Sequence, residues 1–194
     1  MNIANKITLV RIFLIPVFLL FLLMQFDFGV LRIYDYSLSY NELIALFIFI
    51  IAAATDGLDG YLARKHKIVT NLGKLLDPLA DKILITAALI GLVELDRLPA
   101  WVAIVIISRE FAVTGLRMIA NVEGNVISAS KLGKFKTIFQ ITALILLMLK
   151  NFPFTFLDIP VDQLVLYIAV IMTVWSGVDY FQKNANVISF KDAK

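Results

Sequence analysis

Four aspartates crowd one short stretch of this 194-residue chain. Asp56 and Asp59 stand three apart, and Asp77 and Asp81 four apart. On helices both spacings put the pair on one face. If the two helices are antiparallel neighbours joined by the short basic loop between them, both pairs lie at the same level. Four carboxylates facing one another cannot all stay ionised without compensating charge. Divalent cations supply it, and an all-oxygen donor set favours a hard ion such as Mg²⁺ or Mn²⁺. Gly57, Gly60 and Gly73 leave room for a phosphate or nucleotide to approach the backbone. Arg64 can meet a phosphate from the helix end, and Thr70 offers a hydroxyl. Pro78 is tolerable if it falls in the first turn of its helix, with Asp77 as the cap. One such aspartate would be read as a helix cap or a partner for Lys74 or Lys82. Four of them, with three glycines and an arginine alongside, point to chemistry on a phosphorylated substrate.

A second polar group follows. Ser108-Arg109-Glu110-Phe111 and Thr114-Gly115-Leu116-Arg117 lie in one apolar segment. The next segment opens with Lys131, Lys134 and Lys136, with Gln140 one turn on. Arg109 lies eight residues before Arg117, about 12 Å deeper along a helix. There it needs a partner, which Glu110 or an anionic substrate could supply. Lys131 and Lys134 share a face and, with the two arginines, form a candidate phosphate pocket. Lys136 is equally well read as a ligand for anionic lipid headgroups.

The elements that must hold these residues are membrane helices. The chain is 60% hydrophobic and 17% charged, with a mean hydropathy of +0.87, well outside the range of soluble domains. Six segments approach the about 20 apolar residues that cross a bilayer, at roughly 7–26, 41–64, 74–94, 99–119, 132–150 and 162–182. They predict a single all-α domain over 1–194, with its first helix retained rather than cleaved as a signal peptide. Basic residues set the topology. Lys6, Arg64, Lys65, Lys67, Lys74, Arg117, Lys131, Lys134, Lys136 and Lys183 fall on one side, and Arg32, Arg97 and Lys150 on the other. Both termini and the polar, metal-holding cavity therefore face the cytosol of a multi-pass protein in the cell membrane. Cysteine is absent, which excludes thiolate sites and disulfides. Nothing points to nucleic acid, and the one histidine, His66, belongs to a basic loop.

Asp56-x-x-Asp59-Gly60-x-x-Ala63-Arg64, eight residues, then Gly73-x-x-x-Asp77-x-x-x-Asp81 resembles the signature of the CDP-alcohol phosphotransferases at every position. That resemblance implies a metal centre on the four aspartates, commonly of two ions, with Asp81 also the general base. It implies CDP contacts from Gly60, Arg64 and Thr70, and a homodimer. The Arg109-Glu110-Phe111, Gly115-Leu116-Arg117 and Gly133-Lys134-x-Lys136 patterns resemble the bacterial phosphatidylglycerophosphate synthases, as does Asn5-x-x-Thr8-Leu9-x-Arg11. This implies CDP-diacylglycerol and glycerol 3-phosphate as substrates. Asn5 and Thr8 would lie near the nucleotide, and Arg109, Arg117, Lys131 and Lys134 would serve the acceptor phosphate. Without the resemblance, Asn5 reads as a cap and Arg11 as a side chain snorkelling to the interface.

Two other readings remain at this point. One is the same chemistry with another acceptor: inositol phosphate, serine or phosphatidylglycerol. The other is an ion-coupled transporter using intramembrane carboxylates. Against the transporter, the aspartates cluster near one membrane face rather than the midplane, and no paired broken helices are evident.

Overall fold

The computed structural model describes the backbone of residues 3–24, 26–34, 36–66, 71–122 and 131–184, and side chains within 8–24, 26–34, 36–55, 79–120 and 132–184. Six α-helices carry the fold: α1 (Ile3–Leu23), α2 (Tyr40–His66), α3 (Asn71–Glu94), α4 (Ala100–Val122), α5 (Lys131–Met148) and α6 (Val161–Lys183). Their positions follow the apolar segments to within about a helical turn. α6 is long and apolar enough to cross a membrane, and Thr8–Leu23 and Tyr40–Thr55 are shorter apolar stretches. The architecture is mostly helical and consistent with a membrane protein.

α1 packs chiefly against α2 and α3, while α6 packs against α5 and α4. Phe18 of α1 and Phe49 of α2 are buried with their rings 5.8 Å apart. Leu84, Leu89 and Leu92 of α3 continue this core toward Val102 and Ile106 of α4 and Leu144 and Leu147 of α5. Gly91 sets the closeness of α1 and α3, since a Cβ there would fall 2.6 Å from Leu22 Cδ2. Small residues let helix backbones approach in this way where lipid offers no hydrophobic drive.

Among the described residues, the structure departs from an all-helical chain in one place. Residues Val30–Ile33 and Tyr36–Ser39 form a short antiparallel pair, β1 and β2, in register from Val30 opposite Ser39 to Ile33 opposite Tyr36. In β2 Tyr36 and Leu38 are buried while Ser37 is exposed, the alternation of a half-buried strand. Four residues per strand, with Tyr34 at positive φ instead of an Asn-Gly turn, left too short a pattern to read in advance.

The hairpin caps the end of the bundle where Arg97 and Lys150 meet Glu42. Glu42 accepts from Ser39 N–H at 2.9 Å, from Lys150 Nζ at 3.1 Å and from Arg97. Arg97 also reaches the Met148 carbonyl, and Asn41 donates to the Phe26 carbonyl at 2.7 Å. The Tyr36 hydroxyl donates to Leu149 O at 2.8 Å. Burial and the Glu42 carboxylate push that phenol above its ordinary pKa, which keeps it a donor.

α3 begins at Asn71, earlier than the expected residue 74. Asp77 is therefore not a cap, and Pro78 stands about two turns into the helix instead of in its first turn.

Candidate active site

α2 is helical as far as His66 and α3 from Asn71 onward, so the three- and four-residue aspartate spacings do fall on helices. The side chains of Asp56, Asp59, Arg64 and Asp77, with Gly60 and Thr70, lie outside the described residues, as do Asn5 and Lys131. Asp81, Thr8, Arg109, Arg117 and Lys134 are described, and all but Thr8 line one pocket.

That pocket holds about 470 Å³ between α3, α4, α5 and α6. Asp81 and Lys82 enter from α3; Arg109, Glu110, Thr114 and Arg117 from α4; Lys134, Lys136 and Thr137 from α5; and Tyr180 from α6. Among the described residues, five cationic side chains thus face two carboxylates. Such an excess of positive charge suits a small anion, and a phosphate dianion most of all.

The cations are not equivalent. Lys136 is only 3% exposed and pairs with Glu110 Oε1. That corrects the reading of Lys136 as a headgroup ligand, because a buried ammonium already paired with a carboxylate has no lipid surface to meet. Arg109 shares Glu110 at 3.4 Å and donates through Nη2 to Ser176 Oγ at 3.0 Å. Lys82 donates to Thr114 Oγ1, which in turn donates to the Glu110 carbonyl at 2.7 Å. Arg117 is held by Tyr180, with Nε donating to the phenol oxygen at 2.9 Å and the guanidinium 5.3 Å above the ring. Arg117 and the exposed Lys134 line the same pocket. A chamber of about 30 Å³, lined also by Ile85 and Gln140, adjoins it and shares Asp81, Lys82, Glu110, Lys136 and Thr137 with it.

At the other side of the bundle, Arg11 does not snorkel. It is 1% exposed, and its Nε donates to Thr55 Oγ1 at 3.4 Å. Thr8 is fully buried one turn earlier on the same helix. Arg11 therefore ties α1 to the residue just before Asp56.

Tyr180, Ser176 and Gly177 were not singled out from sequence. The signal was present: Thr173, Ser176, Gly177 and Tyr180 form a small, polar stripe along the otherwise apolar α6, and all four are buried. A stripe of that kind on a membrane helix faces other protein.

Together these features define a class: a mostly helical protein, consistent with a membrane protein, in which a carboxylate and a cluster of cations surround one polar pocket. The CDP-alcohol phosphatidyltransferase sequence model matches residues 1–175. A CDP-diacylglycerol–glycerol-3-phosphate 3-phosphatidyltransferase of Bacillus subtilis is 54% identical over 183 residues, covering 94% of this chain and 95% of that protein. Proteins of the same name from Rickettsia felis and Mycoplasma genitalium are 37% and 35% identical, each over more than nine-tenths of this chain and over 94% and 82% of their own lengths. The chain belongs to the CDP-alcohol phosphatidyltransferase family. That family is one of enzymes, generally dependent on a divalent metal, so the transporter reading is set aside.

Proposed function

We propose that this chain transfers the phosphatidyl group of CDP-diacylglycerol to glycerol 3-phosphate, giving phosphatidylglycerophosphate and CMP for anionic phospholipid synthesis. The observation that carries the reading is Asp81 in the same pocket as Arg109, Arg117 and Lys134. A carboxylate able to take a proton lies there beside cations able to hold a phosphate. The names of the relatives support the same substrates.

Asp56, Asp59, Asp77 and Asp81 would hold the divalent metal, Mg²⁺ or Mn²⁺ and in two ions, whose chemistry is to neutralise the pyrophosphate and the departing CMP. Asp81 lines the pocket with two hard oxygen donors of the kind such an ion takes, which supports this role. Gly60, Arg64, Thr70, Asn5 and Thr8 bind the CDP moiety. Arg109, Arg117, Lys131 and Lys134 hold the acceptor phosphate, with Tyr180 fixing Arg117. Asp81 takes the proton of the acceptor 1-hydroxyl. That oxygen bonds to the phosphorus carrying diacylglycerol as the bond from this phosphorus to CMP breaks.

The chain is a single domain, crosses the membrane six times with both termini in the cytosol, and opens its pocket there. The excess of Lys and Arg on that side supports this orientation. It acts as a homodimer, an expectation that rests on the family resemblance and is tested by mass measurement in detergent.

The test uses purified protein in lipid vesicles with CDP-diacylglycerol and Mn²⁺, offered glycerol 3-phosphate, inositol phosphate, serine or phosphatidylglycerol in turn. CMP release with phosphatidylglycerophosphate as product is expected only with the first. Preference for any other acceptor overturns the assignment.

A further inference from the structure

The cations of the pocket divide by the charge of their hydrogen-bond partners. Lys136 and Arg109 pair with a carboxylate, that of Glu110. Lys82 and Arg117 are bonded to neutral oxygens, the Thr114 hydroxyl and the Tyr180 phenol. A neutral oxygen satisfies a donor without cancelling its charge. The Thr114 hydroxyl donates its own proton to the Glu110 carbonyl at 2.7 Å, so its oxygen meets Lys82 as an acceptor. An ammonium has three N–H donors, and this bond uses one of them. The head of Lys82 can therefore stay on Thr114 and hold a ligand oxygen at the same time.

Lys82 also lies within electrostatic reach of Arg109 and Arg117. Like charges drawn together repel, and a bound anion relieves that repulsion. Lys82 enters the pocket from the position next to Asp81, so α3 brings a carboxylate and a cation into it from adjacent residues. Glycerol 3-phosphate carries its reacting hydroxyl and its phosphate on one short carbon stem. A base and a phosphate ligand on neighbouring residues suit so small a molecule.

We infer that Lys82 is a further ligand of the acceptor phosphate, and that Thr114 is the positioning residue that presents it. The inference rests on the proposed reaction with glycerol 3-phosphate. Thr114 stands on α4 between Arg109 and Arg117. One helix thus carries two of the pocket's cations and aims a third that comes from α3.

The test measures KM and kcat separately, with purified protein in lipid vesicles and Mn²⁺. Lys82→Met removes the ammonium with similar volume. Thr114→Val removes the hydroxyl and keeps the shape, and Thr114→Ser restores the hydroxyl. Lys82→Met is expected to raise KM for glycerol 3-phosphate about ten- to a hundredfold, and Thr114→Val about two- to fivefold. Thr114→Ser should bring that KM back toward wild type, while KM for CDP-diacylglycerol holds in all three. An unchanged KM for glycerol 3-phosphate in Lys82→Met overturns the inference, and so does an equal rise for both substrates. A lower kcat or a greater Mn²⁺ requirement without a change in that KM also overturns it, since Lys82 would then serve Asp81. A valine variant with wild-type KM, or a serine variant that behaves like valine, overturns the role of Thr114. If Lys82→Met does not fold, Lys82→Gln takes its place. Absence of CMP release from the wild type with glycerol 3-phosphate counts against the proposed reaction. Normal release with unchanged KM in the Lys82 variant counts against the Lys82 contact alone.

Discussion

Gly177 lies directly against Arg109: a Cβ on the glycine would stand 3.2 Å from the arginine's Cγ. The adjacent Ser176 accepts the hydrogen bond from Arg109 Nη2. α6 therefore makes room for the arginine stem at Gly177 and holds its head at the residue before. Gly177→Ala is expected to change stability by less than about 1 kcal/mol, because better helix propensity offsets the tight contact. Gly177→Leu should cost about 1–3 kcal/mol and displace Arg109. Thermal unfolding in detergent and glycerol 3-phosphate kinetics check both, and a leucine variant with wild-type KM would show that Arg109 can move without consequence.

Arg117 is aimed by Tyr180, so the two residues should act on the same kinetic constant. Tyr180→Phe keeps the ring under the guanidinium and removes only the acceptor of the Nε hydrogen bond. A bond of about 1 kcal/mol predicts roughly a fivefold rise in KM for glycerol 3-phosphate. Arg117→Ala or Arg109→Ala removes a charge-assisted contact and should raise it about ten- to a hundredfold. KM for CDP-diacylglycerol should move far less. Equal changes for the two substrates would place the acceptor phosphate elsewhere.

The aspartates should divide by role. Asp56→Asn, Asp59→Asn or Asp77→Asn is expected to nearly abolish turnover in a folded protein, because each removes one proposed ligand of the divalent metal. Asp81→Asn should lower turnover by about 10²–10⁴-fold, the usual worth of a general base, with less effect on CDP-diacylglycerol binding than Asp56→Asn. Equal losses of binding in those two variants would make Asp81 chiefly a metal ligand.

The Glu42 clamp predicts a purely structural effect. Glu42→Gln leaves Arg97 and Lys150 without their shared anion at the hairpin end of the bundle. A loss of about 1–3 kcal/mol in stability is expected, with both KM values unchanged, as measured by unfolding and kinetics on the same preparation. A shift in kinetics would mean that the two ends of the bundle communicate.

The helices and the family were legible in the sequence because their causes are local. Lipid demands about 20 apolar residues in a row, and a helix turns any three- or four-residue spacing into a shared face. The aspartate signature and the six segments could therefore be read directly from the chain, including the expectation that Arg109 needs a partner. Hydropathy and spacing do not say which charged groups meet. Lys136 reads like any cytosolic lysine until α4 and α5 pack and bury it against Glu110. Arg11 reads as an interfacial arginine until α1 and α2 enclose it beside Thr55. Tyr180 lies 63 residues from the arginine it aims, and the β1–β2 pair is too short for its alternation to stand out. In each case the burial that makes the contact matter comes from another helix, and only the packed structure supplies it.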